Sequence, residues 1–292
     1  MKKIGFVGLG SMGLPMATNL SAAGFTVTGF DVRAEARDAF ATAGGGAAVH
    51  LSEAFAGQEV AILMVVNAAQ AEDILFTHGA LAQLAPGGIV ILMATCPPAS
   101  VAALAVRVEA TGRALVDAPV SGGVVGAKAA SLTIMAAAPR AIFAQVKPVL
   151  DAMGSKVVFL GEAPGQGATA KAVNQLLCGA HLAIAAEGLS LAEALGVDTA
   201  AMLDILSGSA ASSWMLKDRG GRMLQDAPPV TSAVDIFVKD LGIVLEAGRD
   251  ARVALPMAAT ALQLFLSVSG RGLGARDDSQ VIAAYRALQG RT

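Results

Sequence analysis

The feature that most restricts the fold is a six-residue run, Gly8-Leu9-Gly10-Ser11-Met12-Gly13. GxGxxG alone is a loose pattern. Here it directly follows a β-type run, Lys3–Gly8, and directly precedes a helical pattern, which narrows its meaning. In that setting the first glycine permits a tight turn, the second lets backbone approach a pyrophosphate, and the third lets the helix pack closely on the strand. The helix start then offers unpaired N–H groups to the phosphates. Gly8, Leu9, Gly10, Ser11, Met12 and Gly13 are therefore expected to contact a dinucleotide.

Downstream, Thr26–Phe30, Val60–Val65, Ile89–Met93 and Ala114–Asp117 are short apolar runs alternating with helix-length segments. Strands that are apolar throughout, alternating with helices, predict a parallel sheet covered on both faces. Leu132–Met135 and Val157–Phe159, flanking a helix over Arg140–Leu150, are expected to extend it. After Gly161 the pattern changes to long Ala- and Leu-rich stretches without a convincing strand. The segment Gly161-Glu162-Ala163-Pro164-Gly165 should end the last strand and start a helix reaching about Leu195, stopped by Gly196. The expected fold is α/β: a Rossmann-like doubly wound sheet over 1–163 and an all-helical domain over 164–292, joined by that long helix.

Composition excludes several roles. With 21 Lys+Arg against 23 Asp+Glu and no block of like charges, a nucleic-acid or anionic-membrane surface is not expected. Apolar residues at 54% against 15% charged exceed what one monomer's core needs. A homodimer or homotetramer is expected, with Leu262–Val268 as the candidate face. The longest uncharged stretch, Ile74–Val106, is broken by Pro86-Gly87-Gly88 and Pro97-Pro98, so no membrane span is expected there. The N-terminal segment does not read as a signal peptide, and Cys96 and Cys178 lack CxxC spacing, which together fit the cytoplasm. His50, His78 and His181 have no ligand spacing, so no metal is expected.

Asp31 lies 18 residues beyond Gly13, at the end of the second strand. An acid there accepts hydrogen bonds from the adenosine ribose and repels a 2′-phosphate, favouring NAD over NADP. Arg33 is the counterweight, able to meet a 2′-phosphate or stack on the adenine. Thr95, ending the fourth strand, is expected beside the nicotinamide ribose, with the loop Val65-Val66-Asn67 packed near it.

Four segments, in order along the chain, give it a family resemblance: GFVGLGSMGLPMATNL at the start, DAPVSGGVVGA (Asp117–Ala127), GQGATAKAVNQ (Gly165–Gln175) and FVKDL (Phe237–Leu241). They are similar to the dinucleotide, substrate, catalytic-lysine and C-terminal lysine motifs of the β-hydroxyacid dehydrogenases, the family of 3-hydroxyisobutyrate dehydrogenase and tartronate semialdehyde (glyoxylate) reductase. Within it, SSWM, SAVDIFVKDLGIV, RDDS (Arg276–Ser279) and NQLL (Asn174–Leu177) resemble most the branch oxidising L-threonate to 2-dehydro-L-erythronate. Two positions depart from the pattern. Gln175 stands where many relatives carry Asn, and Ala130-Ser131 replaces the usual Gly-Thr before LTIM.

The chemistry can be argued beside the resemblance. Oxidising a secondary alcohol with a nicotinamide needs a hydride acceptor, a base for the hydroxyl proton and an anchor for the carboxylate. Lys171, one turn into the long helix beside an expected domain cleft, is the candidate base, since burial favours the neutral amine. Asn174, at i+3, shares its helical face and would orient the hydroxyl. Ser121, Gly122 and Gly123 form a loop whose N–H groups and hydroxyl suit a substrate carboxylate. The resemblance implies that Lys239 reaches the cofactor and substrate. Trp214 and Phe237 are candidate pocket walls and Gln175 a candidate contact for the substrate's distal end. The rivals are oxidation or reduction of another small acid, such as 3-hydroxyisobutyrate or tartronate semialdehyde; an imine reductase, which Lys171 argues against; and a non-catalytic dinucleotide-binding module.

Overall fold

The computed structural model describes residues 2–290, and packing separates one unit running up to Lys171 from a second starting at Ala172. The first unit holds a sheet of nine strands: β1 (Lys3–Val7), β2 (Thr26–Phe30), β3 (Gly46–Ala47), β4 (Val60–Leu63), β5 (Ile89–Leu92), β6 (Ala114–Asp117), β7 (Val120–Ser121), β8 (Thr133–Ala137) and β9 (Lys156–Gly161). Their order is β3-β2-β1-β4-β5-β6-β8-β7, with β9 paired to β8. Crossovers run through α1 (Gly13–Ala22), α2 (Ala34–Thr42), α3 (Ala68–Glu72), α4 (Ala80–Gln83) and α5 (Pro98–Glu109). Every residue of β4 and β5 is buried, as strands sandwiched between two helical layers must be.

Side-chain alternation builds two cores from the same strands. Ile62, Ile91 and Val116 join Phe6 and Leu20 in one cluster, whereas their neighbours Leu63, Val90 and Leu115 join Phe55 and Leu104 in the other. Successive residues point to opposite faces, so one apolar run feeds both layers.

The edge beyond β6 differs from an all-parallel extension. β8 runs antiparallel to β6, with Asp117 opposite Ala137, and β7 is antiparallel to β8. Between β6 and β8 lies only the two-residue β7 and the six-residue α6 (Gly123–Lys128). β8 returns alongside β6 instead of continuing the parallel order. β9 then pairs parallel to β8 after the longer crossover α7 (Arg140–Asp151).

The helix α8 (Gln166–Ala194) starts in the first unit and continues into the second, followed by α9 (Thr199–Gly208), α10 (Trp214–Met223), α11 (Val234–Asp250), α12 (Pro256–Val268) and α13 (Ile282–Leu288). Among the described residues of this unit, the β-pairing is one bridge, Ala233 with Asp277. Leu182, Ala186 and Leu189 of α8 pack fully buried with Leu241 and Ile282, and Phe237 stacks on Phe265 at 4.9 Å. By length and composition α8 could cross a membrane. On its other side Val173, Leu177, Ile184 and Leu191 form an exposed apolar stripe at i, i+4, i+11 and i+18, with exposed Leu195 just past the helix end. In Leu262–Val268, Phe265 and Val268 are fully buried in their own unit's core, which leaves exposed Leu266 and half-buried Leu262 and Leu264 to face outward.

A charged cluster organises the segments around α10. Arg219 donates to both carboxylate oxygens of buried Asp278, at 2.8 and 3.2 Å, and pairs with Asp218. Arg222 reaches Asp277 at 3.1 Å, and Asp277 also accepts from the N–H and hydroxyl of Thr231. Breaking such a pair from one side strands a charge in the interior. Arg219→Ala is therefore expected to destabilise the protein by about 3–5 kcal/mol, measured as a shift in urea midpoint, whereas an unchanged midpoint would show the cluster to be hydrated.

Candidate active site

Strand order reverses around β1, which has β2 on one side and β4 on the other. Ligands of doubly wound sheets bind outside the strand ends at such a switch, and the loop after β1 is the glycine run. Gly8 has φ +97°, and a Cβ on Gly13 would lie 1.7 Å from the Gly8 carbonyl oxygen. Backbone packing thus requires both. Gly10 is different: the nearest atom to a Cβ there would be Arg33 Nη2 at 3.7 Å. Its missing side chain leaves an open approach at a strand-to-helix turn, which fits a dinucleotide pyrophosphate. Ser11 is exposed and Met12 half-buried at the helix start. Leu9 faces the core, and its N–H donates to Asp31 Oδ2 at 2.8 Å.

Asp31 lies just past β2 and is buried. Its Oδ1 accepts from the Arg33 N–H at 2.9 Å and from Arg33 Nε at 3.2 Å. Burial raises the carboxyl pKa, but the hydrogen bonds from Arg33 and Leu9 and the Arg33 charge outweigh it and hold the group below the usual carboxylate range. The guanidinium is thereby folded back onto Asp31. Val65 is half-buried; Val66 is exposed, its N–H donating to Gln70 Oε1 at 3.0 Å. The Asn67 side chain caps α3, and Thr95 is half-buried between β5 and α5.

A second group lies at the same carboxyl end of the parallel strands, at the end of β6. Asp117 ends β6 with 1% exposure, and its Oδ2 accepts the N–H groups of Gly165 at 2.8 Å and Ala168 at 2.9 Å. Burial pushes this carboxyl up to about 6, against the opposing pull of backbone N–H groups from Ala168, Gly165 and Gly167. Lys171 follows Ala168 by three residues on the same helix and is itself 7% exposed. Ser121 closes β7, and Gly122 and Gly123 lead into α6; all three are half-buried.

The second unit holds a third group. Gln175 is buried and donates from Nε2 to Asp240 Oδ2 at 2.6 Å, while Lys239 Nζ donates to Asp240 Oδ1 at 2.6 Å. Asp240, 2% exposed, thus fixes one residue of α8 and one of α11 with its two oxygens. Asn174 is half-buried, its Oδ1 lying 3.8 Å from Cys178 Sγ. Trp214 is 52% exposed, with the Arg219 guanidinium 6.0 Å from its ring. Phe237 does not line an open wall, because its ring is stacked on Phe265 in the core.

Asp117 has no role legible in the sequence, and Asp240 is legible there only as a pairing partner of Lys239. Asp117 lies inside the DAPVSGG segment and Asp240 beside Lys239, so both were in view. Apart from the adjacent Lys239, their partners are 48 to 65 residues away, which no local pattern reveals. Among the described residues no three His, Cys, Asp or Glu side chains group as a metal site.

Residues 3–161 match the model of the NAD binding domain of 6-phosphogluconate dehydrogenase. Residues 165–285 match that of the NAD-binding region of NADP-dependent 3-hydroxyisobutyrate dehydrogenase. An L-threonate dehydrogenase of Cupriavidus necator is 41% identical over 289 residues, covering 99% of this chain and 97% of that protein. An NAD-dependent L-serine dehydrogenase of Pseudomonas aeruginosa is 33% identical over 298 residues, covering 99% of this chain and all of that one (100%). The crystal structure of a 3-hydroxyisobutyrate dehydrogenase from Salmonella typhimurium superposes with a TM-score of 0.92 at 39% identity, covering 97% of this chain and 99% of that chain.

The raised carboxyl of Asp117 has a definite linkage sign. Its folded pKa lies above the ordinary value of 3.8, so between pH 3.8 and about 6 the folded state holds a proton that the unfolded chain has lost. Its contribution to stability is complete below pH 3.8 and is lost as pH rises through about 6. Asp117→Asn removes that slope: between pH 4 and 7 the variant's unfolding free energy should gain about 2 kcal/mol relative to the parent, measured by urea titration. Parallel pH profiles would refute the assignment.

Proposed function

This chain belongs to the 3-hydroxyisobutyrate dehydrogenase family, and from that premise we propose that it is an NAD-dependent dehydrogenase of L-threonate, forming 2-dehydro-L-erythronate. The observation that carries the reading is the buried Lys171, one turn beyond a helix start tied down by Asp117. The threonate assignment draws on the 41% identity to the Cupriavidus necator enzyme and on the RDDS and NQLL segments.

Gly8–Gly13 would cradle the pyrophosphate, and Asp31 would accept from the adenosine ribose hydroxyls; the bound nicotinamide supplies the hydride acceptor. The remaining work falls to the chain. Lys171 Nζ takes the hydroxyl proton as the alcohol is oxidised and returns it in the reverse reaction. Asn174, three residues along the same helix, orients that hydroxyl. Ser121, Gly122 and Gly123 hold the carboxylate through N–H groups and the serine hydroxyl. Lys239, positioned by Asp240, presents a fixed positive charge, and Gln175 and Trp214 are assigned to the substrate's distal end. We place the functional boundary between residues 163 and 164, so that Lys171 counts with the substrate-handling half. NAD is favoured because Asp31 stays ionised and Arg33 is already engaged with it.

The test is dinucleotide reduction across a panel of small hydroxy acids, 3-hydroxyisobutyrate and L-serine included, with NAD and with NADP. L-threonate with NAD should give the highest kcat/KM, and Lys171→Ala should lose about 10²-fold or more. Preference for another acid discards the threonate assignment, and preference for NADP overturns the ribose argument. If no acid is turned over while NAD binds, the chain is a binding module.

The exposed aliphatic stripe of α8 supports self-association, because four large apolar side chains along one helix face, with Leu195 just beyond, are not left to solvent without a cost. Light scattering after size exclusion should give two or four times 29.2 kDa; a stable monomer would rule this out.

A further inference from the structure

We propose that Asp117 is the positioning residue that sets where Lys171 stands relative to the carboxylate-binding loop. The inference rests on the reading of Lys171 as the acid and base.

A helix start leaves its first N–H groups without partners, and a side chain just ahead of the helix normally supplies an acceptor. α8 begins at Gln166 and is preceded by Gly165, which has no side chain to offer. The acceptor comes instead from a different strand. Asp117 Oδ2 takes the N–H groups of Gly165 and Ala168, 48 and 51 residues further along the chain. The contact is made backbone to strand end. A Cβ on Gly167 would lie 2.5 Å from the Met135 carbonyl oxygen and 2.9 Å from that of Asp117, so the first turn of α8 rests directly on the end of β6 and the middle of β8.

Two functional elements meet at this one carboxylate. Forward along the helix, Lys171 is three residues past Ala168, about 4.5 Å along the axis. Forward along the strand, Ser121 is four residues past Asp117, through the buried Ala118, Pro119 and Val120. Neither path contains a free joint. A carboxylate at a helix N-terminus also meets the positive end of the dipole, which holds the turn against it. Asp117 needs no contact with substrate to act, since moving the turn it holds moves the amine on the next one. Misplacing a reacting group by about 1 Å is enough to lose about 10²-fold in rate.

Kinetics with NAD and whichever acid the panel identifies, on the full chain, test this in four proteins: parent, Lys171→Ala, Asp117→Ala and Asp117→Asn. Asp117→Ala should lower kcat by about 10²-fold while KM for NAD stays within about threefold, because the glycine loop and Asp31 are untouched. Asp117→Asn should stay within about fivefold of the parent, since its amide oxygen still accepts the same N–H groups. Should Asp117→Ala not fold, Asp117→Glu replaces it: the added methylene displaces the turn while keeping an acceptor, and kcat should fall by at least about tenfold. Inactive Lys171→Ala beside fully active Asp117→Ala or Asp117→Glu overturns the positioning role alone. Asp117→Asn as impaired as Asp117→Ala also overturns it, because the charge rather than the acceptor would then be needed. Active Lys171→Ala removes the reading beneath the proposal, and the proposal with it.

Discussion

Carboxylates at the ends of parallel strands hold this molecule's working parts in place by accepting backbone N–H groups that would otherwise be buried without partners. Asp31, past β2, takes the N–H of Leu9 and so fixes the glycine loop after β1. Asp117, at the end of β6, takes N–H groups from the start of α8. An unpaired buried N–H costs on the order of 1–3 kcal/mol. The two carboxylates therefore do more than tidy loops: without them the loop and the helix would seek other positions to satisfy the same groups.

The two respond differently to burial. Asp31 has a cation beside it and two donors, and it stays ionised more readily than a free carboxyl. Asp117 has backbone dipoles only and lies deeper, so burial prevails and the group titrates near 6. The second unit uses full ion pairs instead. There Arg219 and Arg222 face Asp278 and Asp277, and Asp240 binds Lys239 and Gln175. In each case a short side chain joins segments distant in sequence. Gly167 and Gly13 show the complementary device, where the absence of a Cβ allows backbone itself to make the contact.

Much of this was legible beforehand. The runs predicted as strands from Lys3 to Asp117 became β1, β2, β4, β5 and β6, two of them with the predicted bounds, because strands covered on both faces must be apolar at every position. β3 and β7 escaped notice, being two residues long with no apolar run, and the antiparallel direction of β8 is a matter of strand pairing that its composition does not show. Of the residues proposed for the site, Gly8, Gly10, Gly13, Asp31 and Lys171 stand out in the sequence by spacing and motif. Phe237 was assigned to a pocket and lies in the core, because an aromatic on an amphipathic helix reads the same in either place.

The sequence alone determined what is local: the periodicities that make strands and helices, the glycines that a strand-to-helix turn demands, and the acid placed where a ribose would sit. It also carried the family. Tertiary structure decided the pairings across long separations: Asp117 with Gly165 and Ala168, Gln175 with Asp240, Arg219 with Asp278. Backbone preferences act over a few residues and can be read along a chain. A hydrogen bond between residues 48 or 65 apart exists only after the sheet and helices have brought them within 3 Å, so its partners carry no mark of each other in the sequence.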